Sequence, residues 1–569
     1  MIEPSTHCMK STALRLLTGL LVGLAVVIIG LPAVRAQHQD HDDDRWDDHR
    51  DDDDRDIRHL VVIFQENVSF DHYFATYPHA ANTDGTTFTA TPGTPIANGL
   101  FTGGLLDHNP NSVQPFRLGH SEAVTCDQDH NYPDEQKAFN AGAMNRFVET
   151  VGVGSASCYN AGKGKGLVMG YYDGNTTTAM WNYAQHFAMN DNSYSTTFGP
   201  STPGAVNLIA GQTHGARMAP DTFHNTGSPS ANITAVDANG VGSVIGDPRP
   251  SPALDNCTLP SNADPTKTRA YITMTGRNVG DLLNEHDVTW GWFQGGFRPA
   301  PGPTPPPTNL PSANGTVVCG SSHSGLPGTG TPFDYIPHHE PFQYYPQTAN
   351  PKHLPPSSVA KIGKTDQANH QYDLEDFWAA VDAGRMPSVS YLKAAAYQDG
   401  HAGYSDPLDE QRFLVETVNR LMMTPQWEHM AIIILYDDSD GWYDHQMGPI
   451  VNQSNALNPV SGQPDDGLFG AGATANCGTP APGAFNGRCG YGPRQPFMVI
   501  SPWAKQNFID HTLTDQSSVL RFIEDNWDLG RLGRQSTDAI AGSLLNMFDF
   551  RRSQARAPML ILDPATGKP

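Results

Sequence analysis

The sequence predicts an α/β fold with a central, mostly parallel β-sheet, helices on its faces and loop-rich cap insertions. Short apolar runs without polar alternation are typical of strands buried on both faces, as in parallel sheets. Amphipathic helical patterns alternate with these runs along the chain, which indicates a layered α/β architecture. Long polar and proline-rich segments interrupt the alternation and are expected to lie outside the sheet.

Five runs of apolar, β-branched and aromatic residues are the predicted strands. They cover residues 59–64, 288–293, 389–392, 430–436 and 496–500. Five further segments place apolar residues three and four positions apart and are predicted helices. These are 178–187, 278–286, 373–383, 409–423 and 516–527.

Two long segments have neither pattern. Residues 215–275 are polar and rich in turn formers, and residues 299–311 are rich in proline, as is the shorter stretch 351–356. Because proline has no N–H to give to a β-ladder, these segments are expected to be surface loops or a cap over one edge of the sheet.

The chain is predicted to have one large domain with an extension at each end. The predicted parts are a signal peptide (1–36), an acidic disordered linker (37–57), the main domain (58–550, with cap insertions near 215–360) and a C-terminal tail (551–569). In the predicted signal peptide, Lys10 and Arg15 precede an apolar stretch that ends in small residues at Val34 and Ala36. We therefore expect a secreted or periplasmic protein without stable membrane insertion after cleavage.

The formal net charge is −24, from 35 Lys and Arg against 59 Asp and Glu. This balance argues against a nucleic-acid partner, because phosphate backbones attract basic proteins. Residues 40–56 hold eleven Asp against three Arg, a local charge of −8. A solvated linker is favoured there over a weak cation-binding tail that uses His38, His41 and His49, because nothing in the run fixes ligand geometry.

The chain has seven cysteines, and removal of the signal peptide takes Cys8 and leaves six. An even number in an exported protein suggests disulfides, although six cysteines allow fifteen connectivities. The neighbouring pairs are Cys126 with Cys158, Cys257 with Cys319, and Cys477 with Cys489. Buried free thiols are the alternative.

Acidic and amide side chains follow two of the predicted strands. Glu66 and Asn67 follow the first strand, and Asp437 and Asp438 follow the strand at 430–436. Ligands of open α/β sheets bind outside the carboxyl ends of the strands. Because crowded carboxylates repel unless a cation or proton joins them, a divalent metal ion is expected there, its identity open. Each residue alone also suits a helix N-cap or a turn.

A nucleophile candidate is Ser201, which precedes Thr202 and Pro203 at a predicted helix start. Helix N-termini favour anions such as phosphate, and a metal-bonded hydroxyl is easier to deprotonate. Plain N-capping by Ser201 or Thr202 is the alternative.

Several histidines lie in or near these motifs, although a single one among 23 is more often structural. The candidates are His130, His338, His339, His401 and His445. Imidazoles bind phosphoryl groups, protonate leaving oxygens or ligate metals.

Taken in order, these segments resemble the bacterial phosphoesterase family of phospholipases C and acid phosphatases, within the alkaline-phosphatase-like superfamily. Residues 66–74, Glu-Asn-Val-Ser-Phe-Asp-His-Tyr-Phe, are similar to the family signature, with Val68 where the signature has Arg. The later matching blocks are 127–131, 199–204, 338–342 and 436–445.

The resemblance implies a role for each matched residue. Glu66, Asn67, Asp437, Asp438 and Ser201 would hold the metal ion, and Ser201 would also be the nucleophile that becomes phosphorylated. The resemblance gives His130, His338, His339 and His401 the task of holding the phosphoryl oxygens or protonating the leaving group.

The implied function is a secreted, metal-dependent phosphoester hydrolase acting on a phosphomonoester or a phospholipid. The serine at position 201 leans toward the acid-phosphatase branch. A sulfatase is a weaker alternative, because the sequence after Ser201 lacks the arginine of the sulfatase pattern. The other alternative is a non-enzymatic secreted protein that binds metal or phosphate. The aromatic residues at 290–293 and 341–345 suit either a lipid-accepting cleft or core packing.

Overall fold

The computed structural model describes residues 56–155, 161–218, 233–234, 236–247, 252–255, 257, 272–298, 321–323, 333–454, 477, 481–551 and 559–569. The predicted signal peptide, almost all of the acidic linker and the proline-rich segment 299–311 lie outside these ranges.

Within these ranges the strands, in chain order, are β1 (His59–Gln65), β2 (Phe116–Arg117), β3 (Gly170–Tyr171), β4 (Ala188–Asn190), β5 (Ser193–Tyr194), β6 (His214–Met218), β7 (Ile233–Thr234), β8 (Val241–Val244), β9 (Ile272–Met274), β10 (Trp290–Gln294), β11 (Gln371–Asp373), β12 (Val389–Lys393), β13 (Met430–Tyr436), β14 (Phe497–Ile500), β15 (Phe508–Asp510) and β16 (Thr514–Asp515). The α-helices are α1 (Phe70–Phe74), α2 (Tyr132–Phe139), α3 (Phe147–Thr150), α4 (Thr178–His186), α5 (Ser201–Ala210), α6 (Val279–Glu285), α7 (Leu374–Asp382), α8 (Pro407–Met422) and α9 (Ser517–Asn526).

The central sheet has eight strands in the order β11-β10-β12-β1-β13-β14-β4-β15. Every neighbouring pair is parallel except the two that involve β14, which runs against both β13 and β4. The predicted α/β fold with a mostly parallel central sheet is therefore confirmed.

All five predicted strands are present, and β13 has the predicted bounds. In the central sheet the prediction missed three strands of three residues each, β4, β11 and β15, because so short a run has no periodicity to detect. The five predicted helices correspond to α4, α6, α7, α8 and α9, with ends that differ by one or two residues.

The expectation that 215–275 is irregular was wrong in part. The described residues of this segment contribute to a four-stranded antiparallel sheet in the order β7-β8-β6-β9. Its strands have two to five residues and include polar positions, so their alternation was too short to distinguish from turns. In the stretch 351–356, which is described, no residue belongs to a strand, as predicted.

The core lies on the two central strands and the aromatic residues around them. Leu60 through Phe64 of β1 are at most 1% exposed, and every residue of β13 is buried. Fully burying one such aliphatic or aromatic side chain stabilises the fold by about 1.5–3 kcal/mol. Trp290 and Phe342 are fully buried with ring centroids 4.7 Å apart, so the aromatic segments that include them pack in the core.

Cys477 and Cys489 form a disulfide, as predicted, with their Cα atoms 5.5 Å apart. Cys126 and Cys257 are also disulfide-bonded, while their predicted partners Cys158 and Cys319 lie outside the described residues.

The C-terminal residues 559–569 contact the main body. Asn182 donates a hydrogen bond to the carbonyl oxygen of Gly567, at 2.7 Å, and Leu562 is buried. Among the described helices, none combines the length and the apolar character that crossing a membrane requires.

Candidate active site

The carboxyl ends of β1 and β13 bring the first candidate residues together. The two strands are parallel and in register, with Gln65 opposite Tyr436. Glu66 and Asp437 therefore leave the sheet side by side, although they are far apart in sequence. Glu66, Asn67, Asp437 and Asp438 are all at most 1% exposed.

Asn67 holds the two strand ends together. Its φ of 54° lies in the left-handed region, which asparagine tolerates better than most residues. In this conformation its backbone N–H donates to Asp437 Oδ1 at 3.1 Å. One terminal atom of its amide lies 2.7 Å from Glu66 Oε2 and 2.9 Å from Asp437 Oδ1, and the other lies 3.1 Å from His401 Nε2.

The ring of His401 decides which way the Asn67 amide points. His401 Nδ1 lies 2.6 Å from the carbonyl oxygen of Ala402, so Nδ1 carries a hydrogen and donates it. Burial lowers the pKa of His401, so the ring is neutral and Nε2 is an acceptor. The NH₂ group of Asn67 then donates to His401, and the amide oxygen faces the carboxylates of Glu66 and Asp437.

Three oxygen atoms facing one another without a shared hydrogen repel, and a cation would join them. Burial, followed by the charge of Asp437, raises the pKa of Glu66 well above its usual value, while Lys393 opposes this. Burial and Asp437 likewise raise the pKa of Asp438 well above its usual value. The donor set of carboxylate, amide and hydroxyl oxygens is the one that hard divalent cations prefer. The predicted metal ligands therefore fit a divalent ion.

Ser201, the first residue of α5, faces these carboxylates. Its Oγ lies 3.1 Å from Glu66 Oε2 and 3.2 Å from Asp438 Oδ2, within hydrogen-bond distance of both. Ser201 is only 2% exposed. The hydroxyl thus lies at a helix N-terminus, where backbone N–H groups and the helix dipole favour an anion.

The position of α5 depends on close packing against the loop after β13. A β-carbon added to Gly204 would lie 2.1 Å from the carbonyl oxygen of Asp437. Gln516 Nε2 donates to that same carbonyl oxygen at 2.5 Å, and its Oε1 accepts from the N–H of Thr196 at 3.1 Å. The absence of a side chain at Gly204 is what lets Ser201 reach the carboxylates.

Two of the other predicted histidines lie next to these residues. His339 Nδ1 is 3.1 Å from Glu66 Oε1. The ring of His130 lies 6.5 Å from that of His401, between centroids. Burial alone lowers the pKa of His130, but Asp438 and Asp440 together raise it well above its usual value. The raised pKa favours the cationic form of the His130 ring, which suits the binding of a phosphoryl oxygen.

His338 and His445 lie farther out. The ring of His338 packs edge-to-face against that of His339. His338 Nε2 lies 3.8 Å from Asp247 Oδ2. Asp247 in turn accepts a hydrogen bond from the N–H of Thr202 at 2.9 Å. His445 Nδ1 instead contacts Asp71 Oδ2 at 2.6 Å, in a separate buried cluster with Arg494.

The sequence-based interpretation missed several residues around the site. They are Glu135, Asp247, Lys393, Asp399 and Asp440. Lys393 is the last residue of β12, so the strand-end rule that found Glu66 and Asp437 would have found it too. Glu135, on α2, accepts from the N–H of Gly199 at 2.9 Å and from the hydroxyl of Ser439 at 2.8 Å, and no sequence motif marks it.

A serine hydroxyl at a helix N-terminus, among carboxylates and imidazoles at the carboxyl edge of an α/β sheet, defines a hydrolase-type site. The chain belongs to the phosphoesterase family, whose model matches residues 57–530. The family indicated by the sequence motifs is thus confirmed.

Several curated bacterial relatives are named phospholipase C. The chain is 23% identical over 505 residues to the non-hemolytic phospholipase C of Pseudomonas aeruginosa, with 87% of this chain and 58% of that protein covered. The corresponding enzyme of Burkholderia pseudomallei is 23% identical over 534 residues, with 89% and 61% covered. Phospholipase C B of Mycobacterium tuberculosis is 23% identical over 507 residues, with 87% and 78% covered. The chain thus spans about three fifths of the length of the first two relatives.

Among solved structures, murine ectonucleotide pyrophosphatase / phosphodiesterase 5 aligns with a TM-score of 0.29 and 11% identity, covering 66% of this chain and 95% of that one. A protein in the alkaline phosphatase superfamily from Vibrio parahaemolyticus aligns with a TM-score of 0.25 and 12% identity, covering 64% and 65%.

Proposed function

We propose that this protein is a metal-dependent phosphoester hydrolase that acts through a phosphoserine intermediate at Ser201. The observation that carries the proposal is the position of the Ser201 hydroxyl, 3.1 Å from Glu66 and 3.2 Å from Asp438 at the N-terminus of α5. Both carboxylates are acceptors for its proton, and the helix terminus faces the place where a phosphoryl group would bind.

Different residues of the site have different roles in the proposed reaction. Glu66, Asn67, Ser201, Asp437 and Asp438 would hold the divalent ion. When bound, the ion supplies positive charge that favours the ionised serine and offsets the charge of the phosphoryl oxygens.

Ser201 Oγ gives up its proton to a neighbouring carboxylate and forms a bond to phosphorus, while the bond from phosphorus to the alcohol oxygen breaks. The departing oxygen takes a proton from an imidazole. Water then gives a proton to that imidazole and attacks phosphorus. The bond to Ser201 breaks as Ser201 Oγ takes back its proton from the carboxylate, and phosphate or a phosphomonoester is released.

We assign the histidines by their surroundings. His130, whose pKa is raised by Asp438 and Asp440, binds phosphoryl oxygens. His401 orients Asn67 through its neutral ring. His339 lies beside Glu66 and His338 lies farther out beside Asp247, and we assign both to the leaving group.

We propose two substrate classes, phospholipids and phosphomonoesters. The first is supported by the relatives named phospholipase C. The second is supported by serine as the nucleophile, which leans toward the acid-phosphatase branch. We also propose that the protein is secreted or periplasmic, which the signal-like sequence at residues 1–36 and the disulfide between Cys477 and Cys489 support.

The test is an assay of the purified protein on phosphatidylcholine, an aryl phosphomonoester and an aryl sulfate, each with and without chelator. We expect chelator-sensitive hydrolysis of a phosphoester and none of the sulfate. Ser201→Ala should abolish turnover while the protein remains folded. The control is Ser358→Ala, which alters an exposed serine without a side-chain capping hydrogen bond. Stoichiometric phosphate binding without turnover would instead identify a binding protein.

A further inference from the structure

Lys393 is a fully buried lysine at the edge of the site. It is the last residue of β12, next to β1 in the central sheet, and its side chain is 0% exposed. Lysine is almost never fully buried unless its charge is paired. Its ammonium contacts Glu66 Oε1 and lies 5.3 Å from the centre of the Phe64 ring.

Glu66 presents its two oxygens to different surroundings. Oε2 faces Ser201 and Asn67, the side on which the divalent ion is expected. Oε1 faces Lys393 and His339. The carboxylate thus separates two regions that attract cations.

The second region has the ligand geometry of a metal site. One ligand atom from each of Glu66, His339 and Asp399 lies within 4.8 Å of the other two, and all three residues are buried. We call the space between these three residues the inner pocket. A carboxylate that bridges two ions is a common feature of two-metal phosphoesterase sites, so Glu66 by itself would suit a second ion here.

We propose that Lys393 is a positioning residue that acts as a built-in second cation and closes the inner pocket to metal. The active site then binds one divalent ion, on the Ser201 side of Glu66. The location of this ion rests on the proposed function. An ion entering the inner pocket would have to displace the ammonium from Glu66 Oε1. The ammonium is tethered to β12 and has no water to move into, because its whole side chain is buried.

The charges around Lys393 are consistent with this role. The charges of Glu66, Asp437 and Asp399 raise the pKa of Lys393 against the effect of burial. One ammonium can donate three hydrogen bonds and so can hold the Glu66 carboxylate at a fixed angle. Glu66 Oε2 is thereby kept toward Ser201.

The test counts Mn²⁺ ions bound to the full chain, by elemental analysis after equilibrium dialysis. Lys393→Met should bind one more ion per chain than the wild type. Lys393→Arg, which keeps the charge, should bind the same number as the wild type. Adding Asp399→Asn to Lys393→Met should remove the extra ion. An unchanged count in Lys393→Met, or an extra ion that survives Asp399→Asn, overturns the proposal.

A second measurement needs no variant and applies even if Lys393→Met does not fold. Anomalous diffraction from wild-type crystals grown with Mn²⁺ should show a peak beside Asp438 and none between Glu66, His339 and Asp399. A peak in the inner pocket, or no peak at either place, contradicts the proposal. Turnover is measured separately, so failure of the proposed function does not change how the ion count is interpreted.

Discussion

Gly204 packs directly against the backbone of Asp437: a β-carbon at position 204 would lie 2.1 Å from the Asp437 carbonyl oxygen. This contact joins the helix that carries Ser201 to the loop that carries two of the predicted metal ligands. Ser201 and the predicted metal ligands are therefore positioned by one backbone contact.

Gly204→Ala should push α5 away from the strand end. We expect a loss of about 1–3 kcal/mol in the free energy of unfolding, which is typical of overpacking. We also expect kcat to fall under conditions in which the variant is still folded. Denaturant unfolding and steady-state kinetics measure the two effects. Gly384→Ala is a control for adding a methyl group, because the space around Gly384 is open; its positive φ gives a cost in stability alone. Equal kcat values in the two variants would contradict the claim that the contact between Gly204 and Asp437 positions Ser201.

Glu410→Gln should change how stability depends on pH. Glu410, on α8, accepts from the hydroxyls of Tyr73 and Tyr436, both at 2.7 Å. Burial raises its pKa from 4.5 to about 7. The stability from its protonated form is complete below pH 4.5 and is lost as the pH rises through 7.

Glutamine cannot ionise, so the variant should not suffer this loss. Between about pH 5 and 8, the difference in unfolding free energy should shift in favour of the variant by up to about 3 kcal/mol. Urea titrations across this range measure the shift. Glu416→Gln, at an exposed position of the same helix, is the matched control. A difference that does not vary with pH would refute the assignment.

Asp437→Asn should lose metal and activity together. The substitution removes a charge from the group of oxygens formed with Glu66 and Asn67, where each carboxylate contributes strongly to cation affinity. We expect at least a tenfold weaker binding of Mn²⁺ by calorimetry, with a parallel loss of turnover. Asp382→Asn, at an exposed ion pair with Arg420, should leave both unchanged. Tight metal binding by Asp437→Asn would count against its role as a ligand.

Arg494→Lys should destabilise the fold. Arg494 is fully buried and bonds to both Asp71 and Asp444 at 3.1 Å, linking α1 to the loop after β13. Lysine keeps the charge but cannot reproduce the forked geometry, and each buried hydrogen-bonding group left without its partner costs about 1–3 kcal/mol. Thermal unfolding should show a large fall in Tm. Arg420→Lys, in an exposed pair, should show little change. Comparable falls in both variants would contradict this account.

The sequence alone was informative where chemistry followed a long apolar strand. The seven apolar or aromatic residues of β13 and the five before Gln65 identified two strand ends, and so led to Glu66 and Asp437. Lys393 comes directly after the shorter, mostly apolar run 389–392 and ends β12. It was overlooked because a lysine at the end of a strand is usually solvated.

Other features depend on long-range contacts that leave no local pattern. The reversed direction of β14 is decided by its pairing with β13 and β4. Asp247 reaches Thr202 from the insertion after β8, which the sequence suggested was irregular. Glu135 is one of two acidic residues on α2, and only the fold shows that it bonds to both Gly199 and Ser439.

The central claim is that Ser201 carries the phosphoryl group during turnover. The most direct measurement mixes the wild-type protein with a phosphoester substrate, quenches it in acid within milliseconds, and maps phosphorylation by mass spectrometry. We predict phosphate on the peptide that contains Ser201, absent when the metal is chelated and absent in Ser201→Ala. Turnover by the wild type with no phosphate on Ser201 at any quench time, or continued turnover by Ser201→Ala, would contradict the account.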